Sequence, residues 1–216
     1  MTRVLLGSAS PARRRVLLDA GLTPLVLVAD LDEDALVEGL RAGGATPTEI
    51  VTELARAKAA ALLPRILGSA DGEIAEVAAD GVVLTCDSML LIDDELAGKP
   101  LTAEVAVERW RRMRGKTGHL LTGHAVTRLR GGAVAAEAAA TKATEIAFSN
   151  ISDRTIERYV ATGEPLQVAG AFTLDGRGGW LLDGIDGDPS SVIGISLPLT
   201  RDLLTEVGID VTDLWA

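Results

Sequence analysis

The spacing of apolar and polar positions changes period several times along the chain, and the changes predict alternating strands and helices. Arg3 to Leu6 is a short apolar strand that runs into the small residues Gly7-Ser8-Ala9-Ser10. From Pro11 a helical spacing continues through Leu18 and ends at Gly21, with Ser10 placed as an N-cap and Pro11 at the first helical position. Pro24 to Ala29 reads as a second strand, running into the acidic stretch Asp30-Leu31-Asp32-Glu33-Asp34, and Arg41 to Thr46 reads as a glycine-rich loop. Thr46-Pro47-Thr48-Glu49 has the cap, proline and glutamate of a capping box and predicts a helix to about Leu63. Pro64 to Asp80, with Gly68, Gly72 and scattered charges, reads as a surface loop.

Gly81 to Ser88 is a strand of the buried type ending on Asp87, and Met89 to Ile92 extends it to an acidic turn at Asp93-Asp94-Glu95. After Gly98-Lys99-Pro100, an amphipathic helix spans Thr102 to Arg114, with Val105, Ala106, Trp110 and Met113 on its inner face. Leu120 to Leu129 and Val134 to Phe148 read as strands of a hairpin turning at Arg130-Gly131-Gly132. The alanines from Ala135 to Ala140 would fit a helix equally well. Ser152 caps a helix to about Thr162, a glycine-rich section follows from Gly163, and a last helix spans Leu197 to Val207 before Gly208.

Composition narrows the class. The chain has 216 residues, 47% of them hydrophobic but only two Phe, three Trp and one Tyr, which points to an α/β protein built on Ala, Val and Leu. That length is expected to form one domain over residues 1–216, as one body or two closely packed lobes. No apolar run approaches the roughly 20 residues that span a bilayer, and the chain opens on a strand rather than a leader, so a cytoplasmic protein is expected. One cysteine, Cys86, leaves no internal disulfide and no cysteine-rich metal site. A formal charge of −10 disfavours nucleic acid and anionic membranes as partners.

Against that acidic background the basic residues beside Gly and Pro stand out. Arg13, Arg14 and Arg15 fall in the first turns of a helix, where cations oppose the dipole. They read either as a solvated face or as part of a phosphate cradle built from guanidinium groups and free backbone N–H groups. Lys99, between Gly98 and Pro100, has a stiff backbone suited to holding an ammonium toward a phosphate. The carboxylates from Asp30 to Asp34 could hold a hard cation or be a solvated loop. Asp87 is the stronger candidate, because a carboxylate ending an apolar strand is costly to desolvate without a partner. His119 and His124 match no zinc spacing, and the nucleophile elbow, P-loop and dinucleotide fingerprint are absent. The combination argues for metal-assisted attack of water on a phosphate chain.

These residues carry a resemblance. Ser8-Ala9-Ser10-Pro11-Ala12-Arg13, Asp32-Glu33, Leu54-Ala55-Arg56-Ala57-Lys58-Ala59, Cys86-Asp87-Ser88, Gly98-Lys99-Pro100, Thr122-Gly123, Gly163-Glu164-Pro165, Ala169-Gly170 and Gly187-Asp188-Pro189 through Leu197-Pro198-Leu199 follow in the order of the Maf family's motifs. The chain resembles those nucleoside triphosphate pyrophosphatases over nearly its whole length. The resemblance implies a Maf/Ham1-like α/β fold, a long twisted mixed sheet with flanking helices in two lobes around a central cleft, and a homodimer. It implies Asp87 as catalytic proton acceptor, Glu33 and Asp87 as ligands of a divalent cation (Mg²⁺, or Mn²⁺ or Co²⁺), and Ser8, Arg13, Lys58 and Lys99 as contacts to the triphosphate. Because the family is also associated with septum formation, a nucleotide-binding regulator of cell division without turnover is an alternative. A phosphatase of small metabolites would differ in releasing orthophosphate.

The sequence departs from the family where base choice is set. Those positions are Ala12, Ser88 and Asp175, a combination that matches neither the dTTP/UTP set of Arg, Thr and Gln nor the 7-methyl-GTP set of Trp, Gln and Glu. Ala12 removes a large side chain and Asp175 is acceptor-only, so a relaxed or purine-tolerant pocket is expected. The histidine usual after the G-[RK]-[ST] segment is replaced by Gly118, and the lysine usual before Ala169-Gly170 by Val168, so neither His119 nor position 168 is given a catalytic role.

Overall fold

The computed structural model describes residues 2–70 and 72–215. Strand β1 (Arg3–Leu6) hands the chain to helix α1 (Pro11–Asp19) through the small residues from Gly7 to Ser10. Ser10 is the N-cap, its hydroxyl accepting from the Arg13 amide at 3.4 Å, and Pro11 opens the helix. Strand β2 is shorter than the sequence predicts, only Leu25–Val26, because its partner β1 ends at Leu6; one further bond runs from the Leu27 amide to the Leu6 carbonyl.

The acidic run is the start of a helix, α2 (Glu33–Ala42), not a strand-end loop. Asp32 caps it, accepting from the Ala35 amide at 3.0 Å, and Glu33 and Asp34 sit at the positive end of its dipole. The loop expected from Arg41 begins only at the cap residue Gly43.

Helix α3 (Pro47–Leu67) opens on the predicted capping box but passes through Pro64 instead of stopping before it. A proline inside a helix loses one hydrogen bond and crowds the preceding turn, at a cost of roughly 3 kcal/mol. Leu62 and Ile66 on either side are fully buried against Leu5, Val77 and Leu129, which offsets that cost. Val77 belongs to helix α4 (Gly72–Asp80), so most of the segment read as a loop is helical and part of the core.

Strand β3 (Gly81–Ile92) turns through Asp93 and Asp94, both at positive φ, into β4 (Glu95–Ala97). Helix α5 (Ala103–Met113) leads to the hairpin of β5 (Thr117–Arg130) and β6 (Ala133–Phe148), with α6 (Asp153–Val160) after it. The alanines of β6 are strand throughout: Ala136, Ala138, Ala139 and Ala140 pair with β5, Ala135 sits at a bulge, and the small side chains of Ala136, Ala138 and Ala140 let Leu203 and Leu204 pack with them. The glycine-rich section forms short 3₁₀ turns, then β7 (Leu182–Asp186) and α7 (Pro189–Ile193). Helix α8 (Leu197–Glu206) follows and stops at Gly208, which has φ +78°.

Among the described residues the strands form one mixed sheet in the order β2-β1-β3-β5-β6-β7, with β4 added to β3. The first three strands are parallel, and β3, β5, β6 and β7 are antiparallel in turn. This is the α/β class that the composition predicts and the mixed sheet with flanking helices that the family resemblance implies. Leu62, Ile66 and Val77 of α3 and α4 pack against Leu5 and Val83, whereas Leu203 and Leu204 of α8 pack with Leu6 and Leu84. Toward the far end Trp110, Phe148, Tyr159 and Phe172 make edge-to-face contacts. No helix among the described residues is long and apolar enough to cross a membrane.

One feature of the pairing positions the site. Strand β5 lies along one edge of β3 from Gly81 to Leu91, whereas on the other edge β1 covers only Gly81 to Leu84 and β4 only Leu90 to Ile92. Between those two neighbours the backbone of Thr85 to Met89 is left open. A gap where strands diverge is where α/β sheets form binding crevices.

Candidate active site

The gap opens into a cleft of about 450 Å³. Its lining includes Ser8, Ala12, Arg13, Glu33, Lys58, Asp87, Ser88, Lys99 and Asp175. All nine residues singled out from the sequence therefore meet in one place, although they come from α1, α2, α3, β3 and three loops.

Asp87 is held at the floor. Along β3, Thr85 and Asp87 face α3, and the Thr85 hydroxyl donates to the Ala55 carbonyl at 2.7 Å. Helix α3 comes this close because Gly123, paired opposite Asp87 on β5, has no side chain; a Cβ there would lie 2.0 Å from the Val51 carbonyl oxygen. One turn beyond Ala55, Lys58 reaches down and donates to Asp87 Oδ1 at 2.5 Å, while the same ammonium lies 3.0 Å from Glu33 Oε2. Lys58 is thus not the surface lysine usual on such a helix but the cation between two carboxylates. Burial pushes the Asp87 carboxyl above the usual range, against the pull of Lys58 and Arg13.

Arg13 crosses the other face. Its Nε donates to the Gly194 carbonyl at 2.8 Å, Nη1 to the Cys86 carbonyl at 2.8 Å and Ser8 Oγ at 3.2 Å, and Nη2 to Ser88 Oγ at 3.1 Å. The Cys86 carbonyl is free to accept because β3 lacks a partner there. Every acceptor is neutral, so the guanidinium presents its positive charge to the cleft without a carboxylate in direct contact. Of the three successive arginines only this one turns inward; Arg15 pairs with Asp19 at the surface and Arg14 is exposed. Gly194 must be glycine, since its φ is +143° and a Cβ would stand 2.9 Å from Arg13 Cγ. Asp188 anchors this loop, accepting from the Ser190 amide and hydroxyl at 2.9 and 2.7 Å, and Ser190 Oγ accepts in turn from the Leu197 amide at 2.9 Å.

Lys99 is exposed at the rim, and Gln167, Val168, Phe172, Thr173 and Asp175 form the wall beyond it. Glu164 fastens that wall: its Oε1 accepts from Thr173 Oγ1 at 2.5 Å, the Gly178 amide at 2.9 Å and the Tyr159 hydroxyl at 3.2 Å. Burial works against its charge, but these bonds hold its carboxyl below the usual range. The Gly163-Glu164-Pro165 motif was the signal for it. Gln167, Phe172 and Thr173 were not singled out from the sequence, because nothing local distinguishes a cleft-lining side chain from a packed one.

The donor set suits one hard cation. Two carboxylates already share the Lys58 ammonium, and Mg²⁺ is commonly held by one or two carboxylates, with substrate oxygens and water filling the other positions. No group of three or more His, Cys, Asp or Glu among the described residues is arranged as a complete cage.

The site can be set beside known proteins. The family described as Maf-like protein matches residues 3–207. The chain is 56% identical to the nucleoside triphosphate pyrophosphatase of Nocardia farcinica over 212 residues, 98% of this chain and 96% of the relative. It is 55% identical to that of Rhodococcus opacus and 51% identical to that of Mycobacterium ulcerans, in both cases over 100% of this chain and 97% or 98% of the relative. A match across the fold and every segment of the cleft places the chain in the Maf family.

Proposed function

We propose that the protein is a nucleoside triphosphate pyrophosphatase, hydrolysing the bond between the α and β phosphates to leave a nucleoside monophosphate and diphosphate. The observation that carries this reading is the convergence of Asp87, Lys58 and Glu33 on the floor of a cleft with Arg13 and Lys99 along its sides. It is supported by the printed activity of relatives more than 50% identical over nearly the whole chain.

In this reading the polyphosphate lies along Lys58, Lys99 and Arg13, with Ser8 and the amides at the start of α1 adding hydrogen bonds. Asp87 takes the proton of the attacking water. Glu33 and Asp87 would hold a divalent cation, which when bound supplies positive charge against the phosphate oxygens. The base reaches the wall at Phe172, Thr173 and Asp175, where Ala12 and Ser88 leave room and the Asp175 carboxylate favours an edge offering N–H donors. A homodimer, a cytoplasmic location and a single functional unit over residues 1–216 belong to the same proposal.

The test is product analysis on UTP, dTTP, CTP, GTP and 7-methyl-GTP, with and without divalent cation. Diphosphate as product, dependence on the cation, and loss of turnover with retained nucleotide binding in Asp87→Asn are expected. Orthophosphate as product would overturn the reaction, unchanged turnover in Asp87→Asn would remove that residue from it, and strict dTTP/UTP selectivity would overturn the reading of Asp175.

A further inference from the structure

Arg109 on α5 is half-buried, and among the described residues it makes no ion pair. Its Nη1 donates to the Gly98 carbonyl at 2.5 Å. Burial lowers the affinity of this guanidinium for its proton, with Glu95 pulling the other way, so the charge is desolvated for the sake of a backbone oxygen. That oxygen belongs to the residue before Lys99.

The rest of the Lys99 loop is tied in a similar way. The Gly98 carbonyl also accepts from the Gly170 amide at 3.3 Å, and the Leu101 amide donates to the Leu166 carbonyl at 3.0 Å. Leu101 has φ +65°, a conformation that a branched side chain keeps only when its surroundings impose it. Trp110, the neighbour of Arg109, donates from Nε1 to the Ala171 carbonyl at 2.7 Å, and Ala171 is also left-handed at φ +61°. Phe172 of the cleft wall is the next residue. Two consecutive side chains of one helix thus grip the loop carrying the rim lysine and the segment carrying the far wall.

We propose that Arg109 is a positioning residue for Lys99: by holding the Gly98 carbonyl it fixes where the lysine ammonium stands, and with Trp110 it sets the span between that ammonium and the wall at Phe172. The inference rests on the reading of Lys99 as a polyphosphate contact. Arg109 itself touches no substrate.

A double-mutant cycle tests it, with kcat and KM measured for Lys99→Met, Arg109→Met, Arg109→Lys and the Lys99→Met/Arg109→Met pair, and thermal unfolding run on each. A misplaced charge contact is expected to lower kcat/KM about tenfold in Arg109→Met, with Arg109→Lys recovering most of it. In the Lys99→Met background the second substitution should add less than about twofold, because the group it positions is gone. Fully additive losses, or no loss in Arg109→Met, would overturn the proposal while leaving the proposed reaction intact. A silent Lys99→Met would instead overturn the reading of Lys99, and the inference with it. The same cycle run with Arg109→Gln decides the matter if Arg109→Met does not fold.

Discussion

Lys58 shows how far a single residue could be read. Its place on an Ala/Leu helix was legible, and so was the contrast between the apolar strand and Asp87 at its end. That the lysine stands between Asp87 and Glu33 was not, because the contact joins three elements and depends on how closely α3 approaches β3. The side chains of Lys58 and Asp87 are only 11% and 12% exposed, so removing one partner strands a desolvated charge and costs far more than breaking a surface ion pair. Lys58→Met leaves two carboxylates facing each other without a cation, and is expected to cost roughly 3 kcal/mol of stability and at least about 100-fold in turnover. Added Mg²⁺ should raise the melting temperature of this variant more than that of the parent chain, since the cation then replaces the missing ammonium. Thermal unfolding with and without Mg²⁺, in the absence of nucleotide, measures this.

Among the elements, those with a local chemical signature were legible. The caps at Ser10, Thr46 and Ser152 and the turn at Gly131-Gly132 each matched the structure. The failures were elements fixed by contacts from elsewhere. Helix α3 passes Pro64 because Leu62 and Ile66 are buried on either side, and α4 was hidden by glycines and charges until Val77 was seen in the core. At Gly123 the sequence showed a motif but not its reason, which is the passage of α3 across β5. Gly123→Ala would drive a methyl group into the Val51 carbonyl and lift the helix that carries Lys58. Overpacking of this kind costs typically 1–3 kcal/mol, equal to a fall in melting temperature of about 2–4 °C per kcal/mol for a chain of this size. Turnover should fall further than the stability loss explains, and a saturating-substrate assay well below the melting temperature separates the two.

At the scale of the molecule, the order of motifs made the α/β class and the single cleft legible, but not how the faces of the sheet are joined. His124 is one such joint. It is 1% exposed on β5, its Nδ1–H donating to the Thr122 carbonyl at 2.9 Å and its Nε2 accepting from the Ser196 amide at 2.8 Å, at the N-cap of α8. A proton on Nε2 would face another N–H, and burial, with the nearby positive charge of Arg13, depresses the pKa from 6.5 to about 4. The unfolded chain therefore binds a proton in a range where the folded chain does not, so stability rises with pH between those two values. It is fully present above about pH 6.5 and falls progressively toward pH 4, by at most about 3 kcal/mol for a shift of this size. The raised carboxyl of Asp87 acts with the opposite sign, because its protonation favours the folded state as the pH falls. Denaturant unfolding of the parent chain and of His124→Gln at pH 7, 6, 5 and 4 isolates the histidine. The stability difference between the two chains should be largest at pH 7 and shrink toward pH 4, and a difference that stays constant over this range would show that His124 does not carry the acid sensitivity.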